Sequence, residues 1–246
     1  MERVIQLTVD GSHTVAVPDM QVTYHSMYGA IQESMHVFIE AGLKPLLLYR
    51  YDTIRIFEMG FGTGLNALLS LQHAMQHEQK IYYYAIELFP LKAQEYESLN
   101  YTTQLQQDAL QSYFMQMHEC AWEKDIIIHP LFTLHKTNQS LLNLSTNQPL
   151  NKSTNQPFNL IYFDAFAPNA QPELWTQEVF EKMFHLLADK GVLVTYCSKG
   201  DVRRAMMAAG FIVEKLSGPA GKREMLRAVK NWSLSQRAKE LIGIII

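Results

Sequence analysis

Residues 57–66 read FEMGFGTGLN, with glycines at positions 60, 62 and 64 and the carboxylate of Glu58 two residues before the first. Glycine tolerates positive φ and lets a ligand approach the backbone closely. A dinucleotide-binding turn has G-x-G-x-x-G, in which the third glycine permits close helix–strand contact and the helix N-terminus faces pyrophosphate. Gly60 and Gly62 satisfy that pattern, but Leu65 stands in the third place. A carboxylate at Glu58 would repel pyrophosphate and attract an ammonium, such as the methionine end of S-adenosylmethionine. Phe61, Thr63, Gly64 and Asn66 complete the same cofactor loop.

Two further carboxylates fall at the ends of apolar runs. Glu87 closes IYYYAIEL (81–88) and could accept both ribose hydroxyls, a feature of either cofactor class. Glu58 and the glycine spacing therefore make the choice, and they favour S-adenosylmethionine. Asp164 ends NLIYFDAF and is followed by Phe166 and Pro168. A primary alkylamine, whose pKa is roughly 10, is protonated at neutral pH and has no free lone pair. A carboxylate such as Asp164 can hold the amine in line and take up its proton.

Strands alternating with helices must position these groups. From residue 53 onward, IRIFEM, IYYYAIEL, DIIIHPLFTLHK, NLIYFDAF and GVLVTYC read as strands, with helical patterns between them. FIVEKL and REMLRAV close the pattern as an antiparallel pair around a Gly/Pro loop. This predicts an α/β fold with a mostly parallel, Rossmann-like sheet of seven strands covered by helices on both faces, with an antiparallel edge strand. Before it, RVIQLTV and TVAVPD flank DGS as a hairpin, and MYGAIQESMHVFIEAGL reads as a helix stopped at Gly42. The expected division is an N-terminal hairpin-and-helix extension (1–50), a methyltransferase domain (51–230) and a tail (231–246). The tandem STNQP copy in 145–159 reads as a surface insertion without function.

Composition bounds the function. Of 246 residues 48% are apolar and 18% charged, as in a globular protein with a sizeable core. No signal peptide or membrane-spanning run is evident, and two cysteines make no disulfide framework, so a reduced cytoplasmic setting is expected. The histidines, among them His25, His36, His73 and His77, read as surface residues and suggest no metal. Net charge is −3, yet residues 190–230 hold nine Lys or Arg against three acids. Such asymmetry is what a polyanion-binding face leaves, or simply a solvated surface.

FEMGFGTGLNALL, YFDAFAPNAQPELWT, TYCSKGDVRRAMMAAGF and GPAGKREMLRA together resemble the methyltransferase domain of the bifunctional tRNA 5-methylaminomethyl-2-thiouridine biosynthesis proteins, from about Tyr24 to Ala228. That resemblance implies a class I methyltransferase acting on the aminomethyl group at carbon 5 of the wobble uridine, in the anticodon region of tRNA. It implies Gly60, Gly62, Gly64 and Glu87 at the cofactor, with Glu33 and Ser34 closing over it, and Asp164 near the methyl. Lys199, Arg203, Arg204, Lys222 and Arg223 would meet tRNA phosphates, and Phe166 and Trp175 would stack on the extruded base. Many class I enzymes place an acid after the third strand to hold adenine. HKTNQS offers an amide, Asn138 or Gln139, of which Asn138 is taken for the cofactor. The family's FAD-dependent oxidase has no motif here, so a stand-alone enzyme is implied, with its aminomethyl substrate supplied by a separate route. A methyltransferase for a small-molecule or protein amine, and a non-catalytic nucleoside- or RNA-binding protein, remain the alternatives.

Overall fold

The structure, a computed structural model, describes residues 2–144 and 156–230. Most of the STNQP repeat and the C-terminal tail lie outside the described residues. The strand-like runs form β4 (Ile54–Met59), β5 (Ile81–Ile86), β7 (Phe132–Thr137), β8 (Phe158–Phe163) and β9 (Leu187–Thr195), after β1 (Val4–Leu7), β2 (His13–Val17) and β3 (Val22–Thr23), with β6 (Asp125–His129) preceding β7. β10 (Phe211–Ser217) and β11 (Glu224–Lys230) end the chain's sheet, whose order is β10-β11-β9-β8-β4-β5-β7-β6. Five strands, β9-β8-β4-β5-β7, are mutually parallel.

Alternation within these strands feeds two cores. Ile54, Ile56, Tyr83, Leu160 and Tyr162 face one layer, while Phe57, Tyr84, Ile161 and Phe163 face the other. With both faces covered, the strands read as nearly continuous apolar runs. The first layer is covered by α3 (Leu65–Gln76) and by a helix built from α1 (Ala30–Ser34), a π-helical stretch (Met35–Leu43) and α2 (Lys44–Leu46). α7 (Gln177–Leu186) and α8 (Gly200–Ala208) cover the second. Between β5 and β6 the helical run breaks into α4 (Ala93–Glu97), α5 (Tyr101–Gln104) and α6 (Gln111–Glu119).

Four details depart from the sequence reading. The sheet has eight strands, because residues 125–136 fold as a hairpin and β6 adds an antiparallel edge beside β7. At the other end the antiparallel strand is internal: β11, with Met225, Leu226 and Ala228 fully buried, sits between β9 and the more exposed β10. The helix predicted to stop at Gly42 continues to Leu46. Gly42 is a contact residue, since a Cβ there would lie 3.0 Å from Val194 and 3.4 Å from Leu160 and Tyr162. Gly42→Val is therefore expected to lower stability by about 1–3 kcal/mol through overpacking, read as a shifted urea midpoint with unchanged slope. The N-terminal hairpin gains a third short strand, β3, paired with β2.

Candidate functional site

β4 lies where the connections reverse direction across the sheet, with β5 on one side and β8 on the other, and ligands in such sheets bind outside the carboxyl ends at that point. The chain leaves β4 through the glycine loop. Gly60 donates to the Ile86 carbonyl at 3.0 Å, and Asp164 donates to the Met59 carbonyl at 3.1 Å, so the loop is tied to both neighbouring strands. Gly60 has φ +90°, and a Cβ there would stand 3.0 Å from the Asp164 carbonyl oxygen. Gly64, also at positive φ, starts α3. Glu87, half-buried at the end of β5, accepts from Gly62 N–H at 2.9 Å and from Phe89 N–H at 2.7 Å. Its carboxylate thus fastens the loop to the β5 end.

The cleft so formed encloses about 910 Å³, part of it open to solvent, and Tyr24, Gly62, Glu87, Gln139, Asp164 and Phe166 are among its lining residues. Two histidines, buried His25 and half-buried His118, brace its floor. His25 Nε2 lies 2.7 Å from Thr63 Oγ1, and His118 Nε2 donates to the Thr63 carbonyl at 3.1 Å. Burial holds both neutral, lowering His25 to about 4 and His118 to about 3, the latter further disfavoured as a cation by Lys136.

At the inner wall Asn66 Nδ2 donates to Glu58 Oε1 at 3.0 Å and to Asp164 Oδ2 at 2.9 Å. Burial raises Asp164 to about 7, with the Glu33 carboxylate adding to the rise while Asn66 and Lys222 oppose it. Burial likewise lifts Glu58 well above the usual carboxylate range. Glu58 Oε2 and the Tyr83 hydroxyl are buried without a hydrogen bond of ordinary geometry, though each influences the other's titration. Burial thus disfavours the charged form of Glu58, and Asp164 is poised to exchange a proton near neutral pH.

Of the residues singled out in the sequence, Gly60, Phe61, Gly62, Thr63, Glu87, Asp164 and Phe166 come together around the cleft. Others are placed differently. Glu58 is fully buried beneath the loop rather than facing the cleft, because its side chain points toward α3. Asn138 donates to the Glu87 and Leu88 carbonyls and does not line the cleft, whereas Gln139 does. Trp175 is 6% exposed, donates to the Phe166 carbonyl at 2.8 Å and packs on Phe163 and Phe180, so it is a core residue. Pro168 is half-buried outside the cleft lining. Glu33 is 5% exposed and forms an ion pair with Lys222, so two residues expected in separate roles meet in this structure. Lys199, Arg204 and Arg223 are exposed, and Arg203 is half-buried.

Tyr24 and His25 were missed, although both lie in the YHSMYG stretch. Tyr24 meets the edge of Phe166 at 5.1 Å, and His25 and His73 are buried rather than on the surface. No group of three or more His, Cys, Asp or Glu suited to a metal ion occurs among the described residues, and no helix among them is long and apolar enough to cross a membrane.

Comparison with known proteins gives three findings. A family model described as S-adenosyl-L-methionine-dependent methyltransferase matches residues 100–231. The tRNA 5-methylaminomethyl-2-thiouridine biosynthesis bifunctional protein MnmC of Pseudoalteromonas atlantica is 32% identical over 92% of this chain, and that of Burkholderia thailandensis 29% identical over 87%. This chain spans 33% of the length of each of these relatives. A solved structure, MNMC2 from Aquifex aeolicus, shares the fold with TM-score 0.73 at 22% identity, over 98% of this chain and 75% of that one.

Proposed function

This chain belongs to the S-adenosyl-L-methionine-dependent methyltransferase family, and we propose that it methylates the aminomethyl nitrogen on carbon 5 of a modified wobble uridine in tRNA. The observation that carries the reading is Asp164, a carboxylate that follows β8, lines the inner wall of the cleft and is raised to about 7. The bifunctional relatives supply the substrate class by their names.

The cleft fits the cofactor, because its floor is a glycine loop whose Gly60 leaves no room for a side chain and whose Gly62 N–H points at Glu87. S-adenosyl-L-methionine, when bound, supplies an electrophilic methyl on a sulfonium. In this reading Glu87 holds the ribose hydroxyls, Phe61, Gly62 and Thr63 offer backbone to the methionine end, and Gln139 takes the adenine role expected of Asn138. Glu58 and Asn66 act one step back, fixing the orientation of Asp164. Asp164, once ionised, holds the substrate ammonium and accepts its proton, which frees the lone pair. Phe166, braced by Tyr24, meets the extruded base. Residues 51–230 make up the methyltransferase domain, and the preceding segment closes one wall of the cleft.

The basic segment supports a polyanionic substrate by its placement. α8 begins after β9 and the β10–β11 loop follows β10, and both lie at the carboxyl end of the sheet, as Asp164 does. Lys199, Arg203, Arg204 and Arg223 thus stand on the same side as the cleft and would neutralise phosphates. The test is transfer of labelled methyl from S-adenosyl-L-methionine to tRNA from cells lacking this protein. Label at the wobble uridine is expected, and its absence from that tRNA despite intact cofactor binding would redirect the search to small amines.

A further inference from the structure

Lys222 stands on the loop between β10 and β11, and this loop is docked against the N-terminal helix. His36 Nε2 donates to the Ser217 carbonyl at 2.7 Å, and Ala220 N–H donates to Gln32 Oε1 at 3.3 Å. Gly221 lies against the Tyr28 ring, which leaves no room for a Cβ. From this loop the Lys222 ammonium reaches inward. It forms an ion pair with Glu33, whose side chain is 6% exposed, and lies 3.9 Å from the centroid of the Tyr196 ring. Tyr196 is held in turn by its hydroxyl, which donates to the carbonyl of Ala165, the residue after Asp164, at 2.8 Å. Lys222 and Glu33 are both close enough to Asp164 to move its titration in opposite directions.

These contacts describe what the place accepts. A buried carboxylate takes hydrogen bonds from N–H donors, an aromatic face attracts the positive charge, and a second carboxylate stands alongside. The group that meets those conditions here is the end of a lysine, a primary alkylammonium. We propose that Glu33, Tyr196 and Asp164 form a cage for a primary alkylammonium, filled in this structure by the chain's own Lys222 and yielded to the aminomethyl group of the substrate. The last step rests on the substrate class proposed above, whereas the cage does not. The Lys222 side chain is 33% exposed and its loop carries Gly218 and Gly221, so the lysine has a way out toward solvent and phosphate. The sulfonium of the cofactor has no N–H to donate to Glu33, and the cofactor's methionine ammonium, which has, is placed by the reading above at Phe61, Gly62 and Thr63.

Chemical rescue tests the cage with the intact chain. In Lys222→Ala the buried Glu33 loses its partner, and methylammonium chloride is expected to raise the melting temperature well beyond the effect of equal sodium chloride. Its affinity should be at least about tenfold above that for wild type, the scale of one charged hydrogen bond. Lys222→Met, which fills the cage with an apolar chain, and the double variant Glu33→Gln/Lys222→Ala should show no such rescue. Equal stabilisation by both salts, or rescue by trimethylsulfonium in preference to methylammonium, would overturn the cage. If Lys222→Ala does not fold, the wild type serves. It should bind 5-aminomethyluridine at least about tenfold more tightly than 5-hydroxymethyluridine, and Glu33→Gln should lose that preference. Loss of the nucleoside preference alone, with methylammonium rescue intact, would count against the uridine substrate and leave the cage standing.

Discussion

Asp164→Asn is expected to lower kcat by about 10²- to 10⁴-fold, the usual contribution of a positioned proton acceptor, with cofactor affinity close to that of wild type. The substitution keeps the shape and an acceptor oxygen for Asn66 Nδ2, now 2.9 Å from Asp164 Oδ2, so the wall of the cleft is preserved. It removes the group that becomes anionic. Burial first, and repulsion from Glu33 second, place that ionisation at about 7, so wild-type activity should climb as pH rises through about 7, and the variant should lack this limb. Stability should respond with the opposite sense. A carboxyl whose folded-state pKa exceeds its ordinary value stabilises the fold fully below that ordinary value, and the contribution is lost as pH rises through the folded pKa. The neutral amide does not titrate, so the melting temperature of Asp164→Asn should gain on wild type as pH rises from 3.8 to about 7. Single-turnover methylation across pH, run beside thermal melts, reads both. A variant that keeps most of the wild-type rate would exclude Asp164 as the acceptor.

What the sequence disclosed follows from where its signals are local. β4, β5 and β8 were legible because both faces of each strand are buried, which leaves apolar runs ending abruptly in Glu58–Met59, Glu87 and Asp164. The glycine loop was legible because positive φ at 60, 62 and 64 calls for glycine whatever the tertiary setting. The direction of Glu58 was misread, yet strand alternation carries it. Ile54, Ile56 and Glu58 share one parity, and the isoleucines face the layer under α3, so the carboxylate points there too. Trp175 could not be separated from a stacking residue by its type, since an aromatic ring suits a base or a core equally well. The Glu33–Lys222 pair left no local trace at all. Its members are 189 residues apart and meet only because the β10–β11 loop folds back on the first helix. A shorter separation, 38 residues, hid the burial of His25, whose partner is Thr63 in the glycine loop.

Glu87→Ala should show the converse kinetic signature, weakening S-adenosyl-L-methionine binding by about 10- to 100-fold while kcat at saturating cofactor changes little. Hydrogen bonds to a charged group contribute about 1.5–3 kcal/mol, and each 1.4 kcal/mol is tenfold in affinity. In this structure both carboxylate oxygens are engaged, by Gly62 N–H at 2.9 Å and Phe89 N–H at 2.7 Å. A carboxylate oxygen has more than one lone pair, so these bonds orient Glu87 and leave it able to accept two hydroxyls. Glu87→Gln, which keeps one acceptor oxygen but carries no charge, should fall between Ala and wild type. Calorimetric titration with S-adenosyl-L-methionine measures the affinities directly. Binding by Glu87→Ala at the wild-type affinity would reduce the carboxylate to a tie between the glycine loop and β5. Because Asp164 and Glu87 stand at the tips of strands on either side of β4, a loss confined to affinity at one and to rate at the other would separate the cofactor half of the cleft from the half that handles the amine.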